Sequence, residues 1–410
     1  MKALCASLSL LLPSLGALAL DWPQWRGPDR TDLSKETGLL KQWPAGGPPQ
    51  LWVYRQAGIG YGGPAIVSDR LYTMGLRGDQ EVVICLDATT GREIWVKRIG
   101  GVFTNDWGDG PRGTPTVHLG QVYVIGAGGD IVCLAATTGQ VTWNKTMKEL
   151  GGRVPTWGYT ESPLVVDDKL IVTPGGDRGA VAALDLKTGA VKWQSKEFTD
   201  PAHYSSAIVA QHNGAKQIIQ LVEKHVFAVD AANGRLLWKH PWPGRTAVIP
   251  TPIFNAGRVF VSTGYGVGST VIEIGPGNAV KELWFNKNMK NHHGGVILLD
   301  GHLYGYSDEI GWTCLDFATG ERKWANKEAL GKGAIGYADG MFYCVDEKTG
   351  DIALIKATPD RWEEAGRFKL SPQTTLRKPK GRVWTHPVIV NGRLYLRDQE
   401  IVHCYDVRKR

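Results

Sequence analysis

CLDATTGREIW, from Cys85 to Trp95, decides the fold, because the same frame returns four more times along the chain. The other copies read CLAATTGQVTW (Cys133 to Trp143), ALDLKTGAVKW (Ala183 to Trp193), AVDAANGRLLW (Ala228 to Trp238) and CLDFATGERKW (Cys314 to Trp324). Each opens on a small residue, carries Gly in seventh place and closes on Trp. That order reads as strand, tight turn, strand, with the Gly supplying the positive φ that the turn requires. A Trp recurs roughly every 38 to 50 residues, at Trp52, Trp95, Trp143, Trp193, Trp238, Trp284, Trp324 and Trp362.

Upstream of each frame stand two further short apolar runs separated by turn residues, as in GTPTVHLGQVYVIGAGGDIVCL (Gly113 to Leu134). Each unit is therefore four antiparallel strands. Such units repeating at this period predict an all-β fold, an eight-bladed β-propeller in which every blade hides its faces against its neighbours. Seven complete units begin near Tyr61, Arg112, Tyr159, His203, Ile249, His292 and Lys332, and an eighth runs from Thr385 to Asp406 without its Trp strand. PPQLWVYRQ (Pro48 to Gln56) has such a strand and nothing before it, so it is expected to complete blade eight and close the ring. Blade five (Val271 to Trp284) loses the Thr-Gly turn and blade seven (Asp351 to Phe368) shortens toward Trp362. All eight frame Trp are expected to dock on a neighbouring blade. Trp107, Trp157 and Trp384 lie outside the frame and are free to stack on a ligand.

Lys2, an apolar run to Leu18 and the triplet Ala17-Leu18-Ala19 match a secretory signal peptide, with cleavage expected after Ala19. The domains are then a signal peptide at 1–19, an N-terminal segment at 20–47 packing on the ring as a lid, and one propeller at 48–410. No other run is long enough to span a membrane. The only early cysteine, Cys5, precedes the apolar run, so no lipid-anchor cysteine is in place and a periplasmic or secreted monomer is expected. Four of the remaining cysteines fill one frame slot in different blades, too far apart to bridge, and all five are expected as free buried thiols. The net charge of +7 is scattered, the densest run being RKPKGR (Arg377 to Arg382), which gives no stripe for nucleic acid.

The frame resembles the tryptophan-docking repeat of the PQQ-like repeat propellers of the quinoprotein alcohol dehydrogenase superfamily, over nearly all of residues 48–410. WPQWRGP (Trp22 to Pro28) is similar to the opening of many exported bacterial propellers of this type. The resemblance implies an exported propeller whose function lies in its sites.

In a propeller, the loop reaching the innermost strand of each blade delivers residues to one mouth of the axial funnel. Those segments carry Tyr61, Arg112, Trp157, Tyr159, Glu161, His203 and Tyr204 from the first half of the ring, and His292, His293, Lys332, Trp384 and His386 from the second. As a set they suggest a polar and aromatic site for a small polar ligand such as a carboxylate or a sugar. Taken singly, each could equally do no more than close a strand end. Adjacent histidines on extended chain point opposite ways, so no metal is expected. NDWGDG (Asn105 to Gly110) lacks an oxygen ligand where Trp107 stands, and no nucleophile, zinc-peptidase or haem motif occurs.

The leading expectation is a non-catalytic binding or protein-interaction scaffold of the envelope, similar in kind to the propeller subunit of the outer-membrane assembly machine, with an envelope protein as partner and no cofactor. The alternative is a PQQ-dependent alcohol or sugar dehydrogenase with PQQ and calcium in the funnel, although no two cysteines are adjacent as that family's cofactor site implies. A third reading is recognition of an extracellular carbohydrate.

Overall fold

A computed structural model of the chain describes residues 20–409; the expected signal peptide lies outside the described residues. Eight sheets form the ring, each built on four antiparallel strands that run in chain order from the inside outward except in blade eight. Blade one shows the plan: Ala65–Val67, Arg70–Arg77, Gln80–Asp87 and Glu93–Gly101. The closing strand comes from the other end of the chain, as its orphaned Trp implies. Gln50–Tyr54 pairs antiparallel with Ile401–Asp406 as the outer strand of blade eight, placing Trp52 opposite Cys404.

The repeat frame is the contact between blades. Trp95 stands opposite Cys85 in its own sheet and lays its indole on Gly139 of the next blade, where a Cβ would come within 2.6 Å of the ring. Its Nε1 donates to the Ala136 carbonyl at 3.0 Å. Gly139 (φ +71) thus serves both the turn and the neighbour's indole, which is why no other residue fits there. Trp52, Trp143 and Trp193 repeat both contacts on Gly91, Gly189 and Gly234, and Trp284 repeats them on Gly320. The five cysteines among the described residues are free and buried; Cys85, Cys133, Cys314 and Cys404 hold the small slot opposite the indole strand.

Where the frame fails, the contact changes. Blade five has no Thr-Gly turn, and Trp238 instead donates to Gln217 Oε1 within its own blade at 2.7 Å. Blade seven corrects one expectation. Trp362 is not the docking Trp of that blade, because it precedes the outer strand Glu364–Lys369 and packs back on Trp312 and Trp324 of blade six, at 5.9 and 6.4 Å. Gly366 holds the docking slot, opposite Leu354 at the bulge. Trp43 of the N-terminal segment fills the vacated space, its Cβ 2.7 Å from where a Gly366 Cβ would lie. Its ring packs on Tyr343 and Phe368, and its backbone N–H donates to the Ala365 carbonyl.

The N-terminal segment also runs through the axis and touches every blade. Trp22 bridges Ile66 of blade one, and the Pro23 carbonyl accepts from Val117 of blade two. The Arg30 guanidinium donates to carbonyls of Ser162 and Pro163 in blade three and Ala207 in blade four. Trp25 Nε1 donates to Thr251 in blade five, and Arg26 donates to the Val296 carbonyl in blade six. Leu33–Ser34 adds a parallel fifth strand to blade seven, a departure from four-stranded blades, and Asp32 meets His386 of blade eight at 3.1 Å. Strand starts crowded round an axis leave inward carbonyls unpaired, and the two arginines satisfy them. The axial channel is therefore plugged.

Two predictions follow from the way the ring closes. Trp43→Ala should lower the stability by about 3–5 kcal/mol in urea unfolding, the usual cost of a buried Trp, whereas the more exposed Trp362→Ala should cost less. Deleting residues 48–56 should abolish the single cooperative transition; retention of wild-type unfolding would mean that blade eight does not need its outer strand.

Candidate functional site

Above the plug lies a cavity of ≈ 280 Å³, opening at the mouth where the loops from outer to inner strands arrive. Trp25 and Arg26 contribute to it from the plug. Eight of the twelve residues singled out in the sequence line it: Tyr61, Arg112, Trp157, Tyr204, His292, His293, Trp384 and His386. Trp107 joins them, half-exposed at the mouth, 6.3 Å from Trp384.

The other four face elsewhere. Tyr159 is buried in the core between blades two and three, its hydroxyl on the carbonyls of Arg153 and Pro174. Glu161 is buried beneath the funnel, accepting from the Thr173 N–H and hydroxyl, both at 2.7 Å. His203 Nδ1 accepts from the Val248 N–H at 2.9 Å, and burial pushes the ring down to about 4. Lys332 sits behind the cavity wall, its ammonium held by Asp308 at 2.6 Å and by His292 Nδ1 at 2.7 Å.

These contacts change what the funnel can do. Lys332 is already paired and is no anion clamp. The Lys332 ammonium also occupies the lone pair of His292 Nδ1, so Nε2 carries the proton and donates to Tyr265 Oη at 2.6 Å. Burial and then Lys332 push His292 down to about 3, and burial drives His293 well below the usual imidazole range. Both are neutral hydrogen-bonding rings at physiological pH. His293 stacks on Trp384 with centroids 4.5 Å apart. Among the described residues no group of His, Cys, Asp or Glu could hold a metal ion. Arg112 donates to the carbonyls of Gly108 and Gly110 and lies over the rings of Phe103, at 4.8 Å, and Tyr61.

The basic run proves to be a fastening. Lys378 pairs with Asp109 at 2.7 Å and Lys380 with Asp106 at 3.3 Å, tying the loop before Trp384 to the loop that carries Trp107, while Arg377 pairs with Asp398 of blade eight at 2.6 Å. Sequence reasoning missed Trp25, Arg26 and Tyr265. Tyr265 stands in GYGVG, a turn between the second and third strands of blade five; such turns share a mouth with the arriving loops, a topological signal that could have found it. Trp25 and Arg26 gave no such signal, because the path of their segment through the axis is not written in the repeat.

The donor set does not fit calcium-bound PQQ. Among the described residues no Asp or Glu lines the cavity, whereas a calcium ion requires several oxygen ligands.

The chain matches the family model described as outer membrane protein assembly factor BamB over residues 43–147 and 78–326. It belongs to that family. The BamB of Burkholderia pseudomallei is 25% identical over 307 residues, 64% of this chain and 75% of that protein. The BamB of Marinobacter adhaerens is 27% identical over 139 residues, 34% of this chain and 30% of that protein. Among solved structures, the BamB of Moraxella catarrhalis superposes with TM-score 0.60 at 16% identity, covering 87% of this chain and 99% of that one. The quinohemoprotein alcohol dehydrogenase of Comamonas testosteroni gives 0.62 at 14% identity, covering 95% and 81%. Both likenesses establish the shared propeller fold.

Glu161 gives a pH prediction. Burial raises its carboxyl to about 7, against hydrogen bonds from Thr173 and the charge of Arg30 that lower it. The folded protein then holds this proton more tightly than the unfolded chain. Its contribution is present below the unfolded carboxyl value and lost as pH rises through about 7. Glu161→Gln has no such titration. Its melting temperature relative to wild type should rise between about pH 4.5 and 7; a constant difference over that window would mean that Glu161 is ionised throughout.

Proposed function

We propose that this chain is a non-catalytic binding scaffold of the cell envelope, exported to the periplasm or beyond, that holds a partner protein or a small polar ligand at its axial mouth. The observation that carries the reading is how the polar groups of the funnel are committed. His292 Nδ1 is taken by Lys332, both nitrogens of His386 by Asp32 and the His293 carbonyl, and His203 and Glu161 turn away from the cavity to a backbone N–H and to Thr173. What remains is an aromatic enclosure with few free polar atoms, which suits recognition better than turnover. The family supports the same reading, since its described members are outer membrane assembly factors. Among the described residues no helix is long and apolar enough to cross a membrane.

The test separates scaffold from enzyme. Calorimetric titration with PQQ, with and without calcium, should give no saturable heat, and the mixture should oxidise no alcohol with an electron-accepting dye. Immobilised protein should in turn retain one envelope protein in stoichiometric amount. Calcium-dependent PQQ binding with turnover would replace this reading by the dehydrogenase.

A further inference from the structure

We propose that the axial pocket binds an acidic saccharide, with the sugar rings lying on the pocket's indoles and a ring carboxylate held at Arg112. The inference rests on the reading of the chain as a binding propeller and names the ligand class of its pocket.

The walls supply flat apolar faces. Trp25, Trp107, Trp157 and Trp384 stand round the cavity with Tyr61 and Tyr204, and such faces receive the C–H faces of pyranose rings as well as aromatic rings. Trp107 and Tyr265 are 42% and 38% exposed at the mouth, extending the platform outward, so that a chain of rings has somewhere to continue.

Charge narrows the choice. The lining holds no carboxylate, and Arg112 makes no ion pair among the described residues, its guanidinium resting on two backbone carbonyls and two aromatic rings. Glu81 and Asp109 lie near enough to favour its charge but form no ion pair with it, and a ligand carboxylate entering the pocket matches its donors best. A quaternary ammonium would be repelled by the same group.

Hydroxyls in the walls favour a saccharide over a flat aromatic acid. Thr160, Ser162, Ser206, Thr246 and Thr251 all line the pocket. A serine or threonine hydroxyl both donates and accepts, and so does a sugar hydroxyl, so the two pair in either sense. A planar aromatic carboxylate would satisfy the walls and Arg112 but bring no hydroxyls for these five.

The experiment is a titration of the purified protein, by calorimetry and tryptophan fluorescence, with trigalacturonate, uncharged galactotriose and benzoate. Trigalacturonate should bind saturably, about tenfold or more tighter than galactotriose, and that margin should shrink as salt is raised to about 0.5 M. Arg112→Met should erase the preference, and Arg112→Lys, which keeps the charge if the loop tolerates the change, should retain part of it. Trp107→Ala, at the exposed mouth, should weaken both saccharides alike. Absence of saturable trigalacturonate binding overturns the proposal, as does equal affinity for galactotriose or for benzoate. Because wild-type protein is titrated first, a misfolded variant does not blunt the test. Partner retention and the lack of quinone turnover are measured without saccharide, so failure here leaves the scaffold reading standing.

Discussion

The ring depends on one contact, an indole laid flat on the glycine of the next blade's turn. A Cβ at that glycine would fall inside the ring system, and any other side chain would push the blades apart. The same glycine has the positive φ that turns the chain back, so a single residue answers a local and a long-range demand. Apolar area buried between blades scales with how closely these surfaces approach, which makes the contact the gauge that sets blade spacing. Where the frame decays, the space is still filled. Trp238 turns to Gln217 in its own blade, and Trp43 arrives from a distant part of the chain to cover Gly366.

The N-terminal segment turns a ring with a hole into a ring with a pocket. Eight inner strands converge on the axis with carbonyls that cannot all pair with one another, and water is a poor substitute in so narrow a place. Arg26 and Arg30 answer with fans of donors, and Asp32 balances Arg26 at 2.6 Å while meeting His386. Asp32 is held below the usual carboxylate range in spite of its burial, because Arg26 and His386 outweigh the loss of water. The cation that holds the plug is also one of the residues that line the cavity. Architecture and recognition therefore share a residue.

How much of the site could be read in advance follows from the same geometry. Loops that arrive at an inner strand must reach the funnel, so eight of the twelve residues named from that rule do line it. Tyr159, Glu161, His203 and Lys332 sit within one or two residues of such positions and point away, into the blade interfaces or toward a partner behind the wall. Alternation along a strand turns neighbours to opposite sides, and sequence gives no phase at irregular strand starts. Trp362 was misread for a related reason: an aromatic near the right spacing imitates the frame when a bulge shifts the register.

The sequence by itself determined the eight-bladed ring, the closure by residues 50–54 and the small slots opposite each indole, because these are local patterns repeated until chance is excluded. Only the tertiary structure decided that residues 22–34 cross the axis, that Trp43 replaces a missing frame Trp, and which polar residues face the cavity. Each of those depends on contacts between segments hundreds of residues apart. Such contacts occur once and so leave no period to read, and their geometry is set by the closed ring.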